Sequence, residues 1–263
     1  MKFEHRIRFI YQKLKQSVFT YKYNQEKYKT TFLGKNPQKL KIELHPIPKI
    51  IYCFWTGNNE MYVDRKNCLN SIYANSGIEV KLITSENLAS FVLANFPLHP
   101  SFDYLSLVHK SDYLRCYFMH HFGGGYTDIK TCNNSWDKAF EIIQKTDKWI
   151  LGYSESRAKD LAKVESLIQK DLNKHFLSVL GNCAYICRPY SSFTREWYEE
   201  LHYRLDENFL NLKNNPGNVM GDNANYPLAW TYILGSIFHP LNLKYQDKII
   251  KSNIVKPGFV NYR

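Results

Sequence analysis

Residues 111–130 read SDYLRCYFMHHFGGGYTDIK, and three kinds of local structure follow one another inside them. The apolar and polar pattern predicts a helix over about 105–121. The triplet Gly123–Gly125 ends it, because glycine tolerates the backbone conformations that helix termini and close approaches demand. Tyr126–Thr131 is then expected to be extended. A helix, a glycine turn and an extended segment, in that order, form part of an α/β repeat.

The flanking sequence continues the alternation. Lys49–Trp55 (KIIYCFW) is a short apolar run ended by Thr56-Gly57-Asn58-Asn59, which reads as a buried strand entering a loop. A helix is predicted at 64–75, a strand at 79–84 and a helix at about 86–95 behind Ser85 as cap. Downstream, strands are predicted at 149–153 and 183–187, with helices near 158–173, 191–206 and 227–236. Strands alternating with helices from residue 49 onward predict an α/β fold: a mostly parallel, Rossmann-like sheet with helices on both faces. Ligands in such sheets bind beyond the C-terminal ends of the strands.

The formal charge of +11 is unevenly placed. Residues 1–44 hold eleven basic and three acidic side chains, a net +8, while the remaining 24 basic and 21 acidic residues give only +3. The reading is therefore a basic N-terminal arm, 1–44, and a nearly neutral domain, 45–263. Phe3, Ile7, Ile10, Leu14 and Val18 fall on one face of a helix otherwise rich in Lys and Arg, as an interfacial helix requires. An anionic membrane surface is its expected partner. Nucleic acid is not, because the basic excess stops at the arm. Arg6, Arg8, Lys13 and Lys15 interrupt any secretory signal, and no apolar run is long enough to span a bilayer, so a cytoplasmic, peripheral location is expected. The six cysteines lack paired zinc spacing and are expected to be reduced and mainly buried.

Three features are expected to converge beyond the strand ends: Trp55 where the first strand stops, the i, i+3 pair Asp112 and Arg115, and the turn leading into Asp128 and Lys130. A nucleotide-sugar site needs an aromatic platform for the base, a carboxylate for ribose hydroxyls and positive charge for the diphosphate. Bland readings exist for each. Trp55 can be core, and Asp112–Arg115 an intrahelical ion pair of little consequence. Asn182 can face an acceptor or be an ordinary strand-edge residue, and Asp222 in Gly221-Asp222-Asn223 can be turn chemistry. His120 and His121 point to different helix faces and read as structural.

KIIYCFWTG, SDYLRCYFMHHFGGGYTDIK and NYPLAWTYILGSIFHP resemble the bacterial capsular-polysaccharide-synthesis transferases and, more distantly, glycosyltransferase family 32 with its DXD sugar-binding region. The resemblance covers roughly 47–240 and is densest at 108–130. It implies a GT-A-type fold and transfer of a sugar from a nucleoside diphosphate, with retention, to a capsule, lipopolysaccharide or related surface glycan, which can be lipid-linked. By the same resemblance Trp55 stacks on the base and Asp112 and Arg115 hold ribose and sugar. Gly124, Gly125 and Tyr126 line the donor, and Asp128 contacts the donor and its metal. One position departs from the pattern: the second DXD aspartate is Lys130. Either a cation (Mn2+ or Mg2+) is held differently, by Asp128 with Asp222 or His239, or Lys130 neutralises the diphosphate itself and activity is metal-independent. The second is expected. The departure also leaves open a catalytically degenerate sugar-nucleotide-binding protein of the same fold.

Overall fold

The computed structural model describes residues 21–35, 44–260 and 262. The helix expected over Phe3–Val18 lies outside these residues.

The first strand, β1 (Ile50–Trp55), is made of β-branched and aromatic residues that fit a pleated sheet. Its side chains divide by alternation: Ile51 and Cys53 enter one core, Tyr52 and Phe54 the other. Helix α1 (Val63–Asn75) follows, with Asp64 in its first turn favourably placed against the helix dipole. β2 (Glu79–Thr84) then pairs in parallel with β1, Ile50 opposite Glu79 and Trp55 opposite Thr84. The helix expected at 86–95 is only a short 3-10 turn, Leu88–Phe91. Asn87 explains the difference. Its Oδ1 accepts from Thr84 N at 2.9 Å and its Nδ2 donates to Leu82 O at 3.0 Å, folding the chain back onto the end of β2.

Helix α2 (Leu107–His121) starts at Ser106, whose hydroxyl accepts from His109 N. It stops where Gly123 turns to φ +67° and donates its N–H to Phe118 O. The glycines that follow are not a turn preceding the strand but its beginning, since β3 is Gly124–Thr127. A Cβ on Gly124 would meet Ile50 O at 2.8 Å, so only glycine lets β3 run this close to the start of β1.

α3 (Asp137–Gln144), β4 (Ile150–Ser154), α4 (Ser166–Lys174), β5 (Leu180–Cys187), α5 (Ser192–Asn214), α6 (Gly235–Lys244) and β6 (Ile249–Lys251) complete the order. The sheet runs β2-β1-β3-β5-β4-β6. β5 alone is reversed, antiparallel to β3 and β4, while β1–β2, β1–β3 and β4–β6 are parallel. The sheet is thus mostly parallel. α1 and α3 cover one face through Cys68, Leu69, Ile72, Ala139, Phe140 and Ile143. α2, α4, α5 and α6 cover the other, where Phe193, Trp197, Leu201 and Leu205 form a four-residue stripe along α5. Each such fully buried side chain contributes about 1.5–3 kcal/mol. The helix expected at 227–236 begins later, at Gly235, because residues 229–234 close in tighter turns: Tyr232 N donates to Ala229 O and Leu234 N to Thr231 O.

Residues 21–35 pack on this body. Tyr28 and Leu33 are fully buried in the larger core, Lys27 and Tyr28 both bond to the Asp171 carboxylate, and Lys35 Nζ is 3.1 Å from Glu200 Oε2. All six cysteines are free, Cys183 being the one not fully buried. No helix among the described residues is long and apolar enough to cross a membrane.

Candidate active site

The arrangement begins with the end of β3. Tyr126 and Asp128 lie two apart and so face the same side, and the ladder extends one step past the strand, where Asp128 N donates to Cys183 O at 2.7 Å. The extended segment expected to reach Thr131 then bends. Lys130 N donates to Asp128 O at 2.7 Å, a three-residue turn that folds the lysine back over the aspartate.

The Asp128 carboxylate consequently collects three donors. Tyr126 Oη donates to Oδ1 at 2.6 Å, Arg115 Nη2 is 3.2 Å from the same oxygen, and Lys130 Nζ donates to Oδ2 at 2.6 Å. Burial would raise its pKa, but Arg115, Lys130 and these hydrogen bonds override it and hold the carboxyl well below the usual range. The Lys130 ammonium has further neighbours: Cys183 Sγ at 3.0 Å and the rings of Phe259 and Tyr262 at 5.1 and 5.0 Å.

Arg115 connects three elements. From α2 it reaches Asp128, it lies 3.5 Å from Asp112 Oδ1 one turn back, and it donates to Asn182 O on β5 at 3.3 Å. Its guanidinium sits 4.6 Å over the Tyr126 ring, and its Nε has no acceptor. Asp112 differs from Asp128 in kind. It is only 3% exposed, and burial, with Arg115 opposing and Asp128 adding, pushes its pKa up to about 7. Two neighbouring carboxyls are thereby separated in acidity, an arrangement common where one site carries out proton and charge chemistry together.

Trp55 ends β1 and packs against the core that Ile51 and Cys53 enter. The indole is half-buried, and its Nε1–H is fixed on Asn59 O at 2.8 Å. Gly124 and Gly125 lie in the strand below. Asn182 is drawn in through its backbone oxygen, while its side-chain Oδ1 is buried without a partner.

Asp222 and His239 are not brought to Asp128. Asp222 is exposed and accepts from Asn218 Nδ2 at 2.7 Å, so turn chemistry explains it. His239 is 1% exposed, its Nδ1 accepts from Ala162 N at 3.0 Å, and burial lowers its pKa to about 3. Among the described residues no three His, Cys, Asp or Glu side chains cluster as a cation site. Both Asp128 oxygens are engaged by Arg115, Lys130 and Tyr126, so this donor set does not fit a divalent cation. In this structure Asp222 bonds to Asn218 and His239 to Ala162, while Asp128 meets Arg115, Lys130 and Tyr126. Cys183, Phe259 and Tyr262 went unread in the sequence, where nothing marks residues so distant as neighbours of Lys130.

The family model for capsular polysaccharide synthesis protein matches residues 2–193, which include Trp55, Asp112, Arg115, Asp128, Lys130 and Asn182. The chain belongs to this family. The family match ends inside α5, so the α5–α6 connection, α6 and the segment carrying Phe259 lie beyond it. Among solved structures, the chain is similar to the PaToxG glycosyltransferase, at 15% identity over 77% of this chain and 70% of that one, with a TM-score of 0.42. No curated protein matches it.

Proposed function

We propose that this capsular polysaccharide synthesis protein is a glycosyltransferase. It takes a sugar from a nucleoside diphosphate and passes it, with retention, to a capsule, lipopolysaccharide or related surface-glycan acceptor at the cytoplasmic face of the membrane. The observation that carries the reading is the Asp128 carboxylate held between Arg115 and Lys130 at the end of a central strand. In the reaction the bond from the anomeric carbon to the diphosphate breaks, and its electron pair stays on the phosphate oxygen. The acceptor hydroxyl oxygen forms the new bond to that carbon, and its proton passes to the departing diphosphate oxygen. Negative charge grows on the leaving diphosphate, and preorganised cations are what such a step requires.

The roles follow from chemistry and position. Trp55 offers a ring face to the base, and Asp112 and Arg115 receive ribose and sugar. Asp128 orients the donor in the manner of the first aspartate of a DXD motif, as in family 32. Lys130 supplies the charge that the second aspartate would otherwise recruit through a metal, so activity is proposed to be metal-independent. The basic residues 1–20 are proposed to hold the enzyme on anionic lipid beside a lipid-linked acceptor.

The test is a thermal-shift panel of nucleoside diphosphate sugars, with EDTA and with Mn2+ or Mg2+, followed by donor hydrolysis with any that stabilise the fold. Stabilisation with turnover supports the enzyme. Stabilisation without turnover selects the second reading, a degenerate sugar-nucleotide binder, which is favoured by Lys130 occupying Asp128 Oδ2. Absence of stabilisation by every member overturns both.

A further inference from the structure

The connection between α5 and α6, residues 215–234, lies against both walls of the candidate site. At its start it caps the helix that carries Asp112 and Arg115: Leu107 N donates to Asn218 O and Val108 N to Val219 O, both at 3.3 Å. Tyr226 then fixes it to the same helix, its hydroxyl 2.9 Å from His109 Nδ1 and accepting from Ser106 N at 3.2 Å. At its far end the chain reaches β5. A Cβ on Gly235 would lie 3.0 Å from Asn182 Nδ2, and Asn182 O is the acceptor for Arg115. The segment from Tyr226 to Gly235 therefore passes from one wall to the other, and Trp230, 55% exposed, stands in the middle of it. Val219 and Met220 are exposed on the same connection, at 51% and 45%.

A buried tryptophan needs no explanation beyond packing, but a largely solvated one, on a connection pinned at both ends, presents a rigid apolar face to whatever approaches. Its chemical surroundings limit what that is. In a chain of net charge +11, the stretch from residue 214 to 243 contains no Lys or Arg and one acid, Asp222, which is already bonded to Asn218. The cation that reaches this stretch from α5, Arg204, is engaged by Glu200, Tyr232 O and Ser236. An anionic lipid surface or a polyanion would be met by cations. A neutral face of aromatic ring and amide side chains suits the C–H faces and hydroxyls of a saccharide.

We propose that residues 215–234 form the acceptor wall of the site, with Trp230 as the platform on which a neutral sugar unit of the acceptor glycan stacks. The proposal rests on the glycosyl-transfer reading for what the bound glycan is used for, though not for its binding. Trp230 acts on acceptor affinity and selectivity, and the donor contacts remain with Trp55, Asp112, Arg115 and Asp128.

The test is calorimetric titration of the full chain and of its Trp230→Ala and Trp230→Phe variants. The titrants are α- and β-linked hexose and N-acetylhexosamine disaccharides, and separately UDP and GDP. At least one disaccharide should bind the wild type and lose about tenfold in affinity in Trp230→Ala, the effect of removing one ring face, with most of it restored in Trp230→Phe. Nucleoside diphosphate affinity should be the same in all three, and the exposure of Trp230 keeps the substitutions out of the core. Disaccharide binding that is equal in wild type and Trp230→Ala, or absent from both, overturns the platform. Retained disaccharide binding with no nucleotide binding by any of the three supports the platform and counts against the donor reading instead.

Discussion

Lys130 Nζ lies 2.6 Å from Asp128 Oδ2, and the backbone turn that joins the two residues sets the ammonium beside the carboxylate without help from a ligand. Such a lysine can meet a diphosphate as a preorganised charge. Transfer is therefore expected to persist in EDTA, and Lys130→Ala should lose about two powers of ten in kcat. Lys130→Asp should abolish metal-free activity and regain part of it with Mn2+. Loss of wild-type turnover in EDTA, reversed by Mn2+, would reject this role for the lysine.

Asp128→Asn removes the negative charge that holds Arg115 and Lys130 together. Turnover should fall by about two powers of ten, and the melting temperature should drop, because stranding a largely buried cation costs on the order of 3 kcal/mol. Asp112→Asn should behave differently. The wild-type carboxyl titrates at about 7, so the variant should retain its melting temperature near neutrality while losing an ionisation near pH 7 from its kcat/KM profile. A profile unchanged by Asp112→Asn would leave that carboxyl outside the reaction.

Trp55→Ala should weaken nucleoside diphosphate binding by about tenfold with little change in kcat, since a ring stacked on the base acts equally on ground and transition states. Trp55→Phe keeps a ring but loses the anchor to Asn59 O, and should fall between the two. Unchanged affinity in Trp55→Ala would assign the indole to packing.

Acid should unfold the protein before its carboxylates protonate in bulk. Burial lowers the pKa of His109 and His121 to about 4, and that of His202 likewise, with His99 and Asp206 acting after burial. Unfolded, the same groups titrate near 6.5, so between about 6.5 and 4 the unfolded chain binds more protons and stability falls as pH falls. For His109, which is fully buried, the loss is on the order of 3 kcal/mol. Urea midpoints measured from pH 7.5 to 4 should decline across this window and decline less in His109→Gln. A flat profile would contradict the neutral, buried state of these rings.

Vesicles containing phosphatidylserine should co-sediment the full chain at low salt and release it as salt rises. Replacing Arg6, Arg8, Lys13 and Lys15 together by Glu should abolish the association. Equal binding by the substituted chain would remove the membrane from the account.

Much of the first half of the fold is legible locally. β1 declares itself as a short apolar run ended by a turn, α1, β2 and α2 are predicted close to their observed places, and Asp112 and Arg115 share a helix face by spacing alone. Asp128 and Lys130 read as two positions of one extended segment, Tyr126–Thr131, whereas a turn at Ile129 folds Lys130 onto the Asp128 carboxylate. α3, at eight residues, is too short for periodicity to separate from a loop. Contacts such as Arg115 to Asn182 O, or Lys130 to Cys183 and Phe259, depend on the reversal of β5 and on chain returning from far downstream. No local pattern encodes these.

The seam between residues 21–35 and the helices bears on where the chain can be cut. Composition suggests dividing it at residue 45, where the basic excess ends, yet a chain begun there would lack Lys27 and Tyr28, the two donors to Asp171, and Lys35, a partner of Glu200. Burial already works to raise the Asp171 pKa, and without those donors nothing on this side would oppose it but His175. The wells filled by Tyr28 and Leu33 would open to water, and Lys244 would lose its bond to Leu33 O while keeping Glu196. Such a shortened chain is expected to come out of expression largely insoluble, so any division of the chain should leave residues 21–35 with the domain.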